Sequence, residues 1–467
     1  MEKSGTMITD WLETYGNTEI EKKIENKLFM EEILRLVDEY IKNNSSNEKW
    51  REGVDLVKYA GNYFNSEEYT AGIKTFLTGY LALNTEGNKF ERNFPKLMGK
   101  KYGLLTNSGS SANLLMMAYL TSKKGHNLPK GTKVITPIAG FPTTINPIFQ
   151  MGFTPIFVDI ELDTLNLNLD DVEFVCEQNP DAKIITFAHV LGNPPDMDRL
   201  MKIIKKYNLI LLEDCCDALG SFYDGKPLGS FGELASCSFY PAHHITMGEG
   251  GFVSCNTIEA ERIIRSFREW GRGCYCVGKA NQLECGSCGI RFNNWLPSLP
   301  DEVFDHKYVY DEIGYNLKPI EMQAAIGNVQ MKKLDEIGVA RRKNYNRLFS
   351  IFEKYEDKLI LHKAQPKSDP NWFAFPITIR DTAGFKRSDI TQFLESKKIQ
   401  TRPYFAGNIM LQPAYEGMMD TDEVISKYPV ARKVTTDTFF LGTSPVITDE
   451  QLDYIEKMVI EFFNQLN

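Results

Sequence analysis

The chain of 467 residues is 42% hydrophobic and 25% charged, the composition of an ordinary soluble globular protein with room for two or three domains around a sizeable core. Its formal net charge of -9 excludes a general nucleic-acid binder, because affinity for a phosphate backbone rests on clustered Lys and Arg. Met1 to Gly5 lead into polar sequence without an apolar signal core, and no run approaches the ~18 apolar residues of a membrane span, so a cytoplasmic protein with no membrane partner is expected.

Apolar residues at Ile24, Leu28, Ile33, Leu34, Leu36 and Val37 have helical spacing and predict a helix over about 18–43. The polar break Asn43 to Asn47 follows it, and residues 1–60 read as a helical extension with no visible chemistry. Lys101 to Asn113 then pass from a short apolar run through glycine and hydroxyls into the helical Leu114 to Leu120. Such a turn frees backbone N–H groups at a helix N-terminus, where a phosphate is well stabilised; a merely capped helix accounts for the same residues.

Strand signals follow at Lys133–Pro137, Thr154–Asp159, Ala182–Phe187 and Leu209–Asp214, with helical stretches between some of them. This alternation predicts an α/β fold with a mostly parallel sheet flanked by helices. Ligands of such sheets gather at the carboxyl ends of the strands, which places Asp214 near a site, whereas Asp159 reads as a strand-end residue only. Ser238 to Gly251 read as a strand, a turn and a second strand opening at Gly251.

Past Gly327 a single long helix is expected from Asn328 to about Tyr355, its Lys and Arg forming a solvated face. Trp372 to Ile379 read as a strand, Arg387 to Lys398 as a helix and Thr448 to Asn467 as a terminal amphipathic helix. Arg402 is a candidate substrate contact, although an isolated arginine is more often a surface salt-bridge partner.

The nine cysteines are unevenly spread. Cys176, Cys237 and Cys255 sit singly among apolar neighbours as core filler. Cys215–Cys216, Cys274-Tyr275-Cys276 and Cys285-Gly286-Ser287-Cys288 are clustered, which in a cytosolic chain points to metal or redox chemistry. Spacing alone admits a tetrahedral zinc on Cys274, Cys276, Cys285 and Cys288, or a two-iron cluster, in which each iron takes two protein thiolates. Of the histidines, His126, His189, His306 and His362 show no pairing in the sequence and read mostly as surface or core residues, and His244 reads as structural.

The stretch Ser238-Phe239-Tyr240-Pro241-Ala242-His243-His244 resembles the cofactor segment of the DegT/DnrJ/EryC sugar aminotransferase family, of fold type I, and the resemblance spans roughly residues 60–465. It implies a large cofactor-binding domain over 61–330 with a mostly parallel mixed sheet and a cysteine-rich loop at 271–292. A connecting helix and a small α+β C-terminal domain would occupy 331–467. At the position held here by His243 the family normally has a lysine bonded covalently to pyridoxal phosphate. Imidazole cannot make that bond but can shuttle a proton, so the departure implies pyridoxamine phosphate, held non-covalently, with His243 as the catalytic base.

On the same resemblance Gly109, Ser110 and Ser238 contact the cofactor phosphate and Phe141 stacks on its ring. Asp214 pairs with the pyridine nitrogen, which keeps the ring an electron sink, and Asp217 lies near the ring hydroxyl. Asn316, in Gly314-Tyr315-Asn316-Leu317-Lys318-Pro319, matches a residue lent by a neighbouring subunit, which implies a homodimer.

The cysteines resemble those of the family's iron–sulfur branch, with 57 residues between Cys216 and Cys274. Cys216, Cys274, Cys276 and Cys288 are thereby expected to hold a 2Fe–2S cluster. The eleven residues between Cys276 and Cys288 form a longer loop than the family's, and Cys285 remains the alternative fourth ligand. That branch dehydrates carbon three of a nucleotide-linked 4-keto-6-deoxyhexose, with CDP as carrier, and takes electrons from an NAD(P)H-dependent iron–sulfur flavoprotein reductase. The alternatives are a cluster-free dehydratase of a GDP-linked sugar, an ordinary sugar aminotransferase, and a catalytically idle, zinc-stabilised relative.

Overall fold

A computed structural model of the chain describes residues 19–44, 49–274 and 288–466. Helix α1, Glu19–Asn44, packs along the helix Ser66–Leu77. Among the described residues, no helix is long and apolar enough to cross a membrane.

The central element is a seven-stranded sheet. In chain order its strands are β1 Tyr102–Thr106, β2 Lys133–Pro137, β3 Thr154–Val158, β4 Ile184–Ala188, β5 Ile210–Asp214, β6 Leu234–Ser238 and β7 Gly251–Cys255. Their order across the sheet is β1-β7-β6-β5-β4-β2-β3. Strands β3, β2, β4, β5 and β6 run parallel, and β7 is antiparallel to both β6 and β1. The mostly parallel sheet expected from the spaced β-branched runs is therefore present.

Both faces of the sheet are covered. Leu212 packs into one hydrophobic core and its neighbour Leu211 into the other, as the period-two alternation of a strand demands. Behind Asp214, the buried Glu213 accepts hydrogen bonds from the amides of Gly229 at 2.9 Å and Gly232 at 2.5 Å, and pairs with His189 at 3.0 Å. This network fixes the loop that follows β5 from the side opposite the cavity described below.

A second, four-stranded antiparallel sheet has its own core. It comprises β8 Leu359–Leu361, β9 Ala374–Ile379, β10 Arg402–Pro403 and β11 Thr438–Gly442, in the order β8-β9-β11-β10. The single helix expected from Asn328 onward is instead two, Glu321–Gln330 and Leu334–Phe352, joined by a tight turn at Met331–Lys333. Its basic residues are not uniformly solvated, for Arg341 is fully buried.

Other expectations are corrected by long-range contacts. Asp159 is more than a strand end: its carboxylate accepts the amides of Val430 and Ala431 at 2.9 and 2.8 Å, capping the helix Pro429–Asp437. The histidines are not unpaired. His126 bonds Glu233 at 2.8 Å, His362 bonds Thr378 at 2.9 Å, and His306 stacks on Trp295. His244 is buried with Nε2 on the carbonyl of Asn371 at 2.7 Å, a structural contact. Cys176, Cys237 and Cys255 are buried in the core.

Candidate active site

A cavity of about 920 Å³ opens at the carboxyl ends of the parallel strands, and Gly109, Ser110, Phe141, Asp214, Cys216, Asp217, Ser238 and His243 all contribute to its wall. Its floor begins at the helix α2, Gly109–Thr121, whose N-cap Ser108 accepts the amide of Ser111 at 3.1 Å. The first amides of a helix have no acceptor within it, so Gly109 and Ser110 present N–H groups at a positive helix end. Ser238 ends β6 directly beside them.

The approach of these segments requires glycine twice. A Cβ on Gly109 would lie 2.5 Å from Ser238 Cβ and 3.0 Å from Cys216 Sγ, and one on Gly251 would lie 2.2 Å from the carbonyl oxygen of Ser108. A larger residue at 109 would thus fill the space between the amides and the hydroxyl. An anion the size of a phosphate ester fits this cradle.

Asp214 is buried but richly bonded. One carboxylate oxygen accepts Asn113 Nδ2 and Thr144 Oγ1, each at 2.7 Å, and the other accepts the amide of Cys216 at 3.0 Å. These donors hold the carboxylate rigid at the cavity floor, and its chemistry fits a protonated ring nitrogen. Asp217 also faces the cavity. Burial, reinforced by the negative charge of Asp214, pushes its carboxyl up to about 7.

His243 sits on the turn between β6 and β7, its amide bonded to the carbonyl of Tyr240 at 3.0 Å. Its ring lies 5.3 Å from that of Phe373, and Nδ1 stands 3.5 Å from Asp217 Oδ1 with no hydrogen-bond partner. Burial, with a further push from the Arg341 charge, lowers its pKa to about 4. The imidazole is therefore neutral near pH 7 and able to accept a proton.

Among the described residues no lysine lines the cavity, and Arg402 is its one arginine. The Arg402 guanidinium lies 4.3 Å from the centre of the Tyr59 ring and donates to the carbonyl of Thr401 at 2.7 Å, rather than entering a surface salt bridge. Phe141 is half exposed at the mouth, edge-on to Phe405. Asn113 and Thr144 were not singled out from the sequence, although the signal exists: Asn113 lies four residues after Gly109, one helical turn along the same face. Tyr59, Arg341 and Phe373 carry no local signal.

The remaining candidates lie elsewhere. Asn316 is absent from the cavity wall; it pairs with Glu269 in an isolated bridge and accepts Lys318 Nζ at 3.0 Å. Cys274 and Cys288 are partly buried at either end of the 275–287 segment, and Cys276 and Cys285 fall outside the described residues. Among the described residues, the one trio of ligating groups with donor atoms within 4.8 Å of one another is His189, Glu213 and Cys215. Cys216, Cys274 and Cys288 form no such trio. A two-iron cluster does not demand one, because each iron takes only two protein ligands.

Comparison with known proteins agrees with this architecture. The chain is 40% identical over 435 residues to the lipopolysaccharide biosynthesis protein RfbH of Salmonella typhimurium, covering 93% of this chain and 98% of that one. It is 41% identical over 418 residues to the dTDP-4-dehydro-2,6-dideoxy-D-glucose 3-dehydratase of Saccharopolyspora spinosa, covering 88% and 87%. The E. coli GDP-4-keto-6-deoxy-D-mannose-3-dehydratase, solved with bound hydrated PLP, superposes with a TM-score of 0.73 at 27% identity, over 86% of this chain and 99% of that one. With a family model matched across residues 65–460, and a glycine-bearing helix N-terminus, a buried aspartate and a turn histidine meeting in one cavity, the chain belongs to the DegT/DnrJ/EryC1/StrS aminotransferase family.

Proposed function

We propose that this protein is a nucleotide-sugar 3-dehydratase that holds pyridoxamine phosphate non-covalently and removes the carbon-three hydroxyl of a nucleotide-linked 4-keto-6-deoxyhexose. The observation that carries the reading is a partly buried, neutral imidazole, His243, facing a cavity without lysine among the described residues. A family member so built cannot anchor an aldehyde cofactor covalently at that point, yet keeps a base. Two proteins to which the chain is similar are themselves 3-dehydratases.

The residues divide the work. Gly109, Ser110 and Ser238 hold the phosphate, Phe141 covers the ring, and Asp214 holds a proton on the ring nitrogen. When bound, the cofactor supplies an amine for the sugar ketone and a ring that accepts electron density. His243 takes a proton from the cofactor methylene and returns one to the departing hydroxyl oxygen. Arg402, the cavity's one arginine among the described residues, meets the diphosphate of the carrier. Asn316 completes the site of a partner subunit in a homodimer.

Cys216, Cys274, Cys276 and Cys288 hold a 2Fe–2S cluster, because four thiolates are the donor set that two irons require. Such a cluster passes single electrons, which an NAD(P)H-dependent flavoprotein reductase would supply. CDP is the proposed carrier.

The test is anaerobic purification, iron and sulfide analysis, and product analysis with CDP-, GDP- and dTDP-linked 4-keto-6-deoxyhexoses, with and without a reductase. Cys274→Ser is the informative variant, since Cys216 also borders the phosphate cradle. Two irons and two sulfides per chain, lost in Cys274→Ser, together with a 3-deoxy product support the reading. A metal-free protein that still makes the product removes the cluster and leaves the dehydration. Transfer of an amino group to the sugar overturns the dehydration itself.

A further inference from the structure

Arg341 is one of the largest fully buried side chains, and the site residues leave it unexplained. It is 1% exposed, on the helix Leu334–Phe352, whose first turn packs into a core of the large sheet and whose later turns pack into the core of the small one. Burying a cation is costly unless it is bonded, and here the two terminal nitrogens are bonded while Nε has no hydrogen-bond partner among the described residues. Its partners here are backbone carbonyls: Nη2 donates to Ala242 and His243, each at 3.0 Å, and Nη1 donates to Phe373 at 3.0 Å. Weaker contacts reach Trp372 O and Thr443 Oγ1 at 3.5 Å.

Those carbonyls come from two segments far apart in sequence. One is the turn that carries the His243 imidazole. The other enters β9, and its Phe373 ring is the surface 5.3 Å from that imidazole. A further tie runs parallel to it, His244 Nε2 to Asn371 O at 2.7 Å. The planar fork of a guanidinium directs its two terminal nitrogens to separate acceptors, whereas an ammonium bonds from a single point.

We propose that Arg341 is a positioning residue for His243, fastening the turn beneath the base to the segment that bears Phe373 and leads into β9, so that imidazole and aromatic wall move as one unit. The proposal deepens the dehydratase reading above and rests on it for the identity of the base. Arg341 itself does not line the cavity.

The substitution that isolates the fork is Arg341→Lys, which retains the charge and most of the bulk; Arg341→Met keeps similar bulk and removes the charge and the donors. In the full-length protein, amide hydrogen exchange is followed by mass spectrometry in peptides covering 239–247 and 371–375, with the helix Met197–Tyr207 as a remote reference. Both site segments are expected to exchange about tenfold faster in Arg341→Lys, in step with each other, while the reference stays unchanged. Unchanged protection of the 239–247 peptide overturns the proposal, and so does a uniform loss that includes the reference, the mark of a general structural role. If Arg341→Met does not fold, Arg341→Lys alone decides.

The second readout is deuterium exchange from solvent into the methylene of bound pyridoxamine phosphate with the nucleotide-linked 4-keto-6-deoxyhexose present, since the methylene is acidic only once the amine has condensed with a ketone; it is followed by NMR, with cofactor affinity measured separately. Misplacing a base by about 1 Å costs on the order of a hundredfold. Arg341→Lys is therefore expected to slow this exchange ~10–100-fold with cofactor Kd within ~3-fold, and to add nothing in a His243→Asn background. An equal slowing in that background overturns the role through His243. If the wild-type protein binds both the cofactor and the 4-keto sugar and shows no methylene exchange, the dehydratase reading fails, while the amide exchange still decides what Arg341 does.

Discussion

Replacing Gly109 by alanine adds one methyl group to the narrowest part of the site. The new Cβ would stand 2.5 Å from Ser238 Cβ, 2.9 Å from Ser238 Oγ and 3.0 Å from Cys216 Sγ. Carbon atoms in contact prefer about 3.5–4.0 Å, so the helix N-terminus or Ser238 has to retreat by about 1 Å. Overpacking of this kind costs about 1–3 kcal/mol. If the shift is borne by the cradle, about 2 kcal/mol appears as a loss near 30-fold in cofactor affinity. The assay is a fluorescence titration of cofactor-free protein with pyridoxamine phosphate and, in parallel, with pyridoxamine. The variant is expected to weaken the phosphate ester selectively and leave the free amine nearly unaffected. Affinity for the ester within threefold of wild type, or an equal loss for both ligands, refutes the assignment of Gly109 to a phosphate cradle.

Other expectations follow from particular contacts. Asp214→Asn keeps the shape but not the charge of a side chain bonded to Asn113, Thr144 and the Cys216 amide. A fall in kcat of about 10²–10³ is expected, with an unchanged far-ultraviolet spectrum; activity within a few-fold of wild type would remove Asp214 from the chemistry. Glu213→Gln leaves the buried His189 and Lys100 without their anion and should lower stability by about 3 kcal/mol, read by urea unfolding. A loss under about 1 kcal/mol would mean the network is not ionic.

His362 supplies a pH test remote from the cavity. It is buried with Nδ1 unpartnered, and burial lowers its pKa from 6.5 to about 4. The unfolded chain then binds this proton first, so the contribution is fully present above pH 6.5 and is lost as pH falls toward 4. At pH 5 the loss is about 1.5 units, or about 2 kcal/mol. Urea unfolding at pH 7.5 and 5.0 should show wild type losing about that much more than His362→Asn; parallel losses would show that His362 is protonated in the fold.

Much of this site was legible in sequence because its parts are local signals. A glycine and hydroxyl run entering a helix announced the helix N-terminus at Gly109 and Ser110, and an apolar run ending in Asp214 announced a strand end. The resemblance of the 238–251 turn drew attention to the missing lysine. Helix and strand positions followed from periodicity, because alternation and helical spacing are properties of neighbouring residues.

What the sequence could not supply is every relation between distant segments. Periodicity assigned the basic residues after Asn328 to a solvated face, yet one of them, Arg341, is enclosed by carbonyls contributed from residues 242–243 and 372–373. Asp159 became a helix cap and His189 a partner of Glu213 only because strands and helices far apart in the chain were brought edge to edge. Local propensity reports what a segment prefers by itself. Whether a charged side chain faces water or a set of carbonyls is decided by packing, since the desolvation of a charge is repaid only by partners that the folded chain delivers.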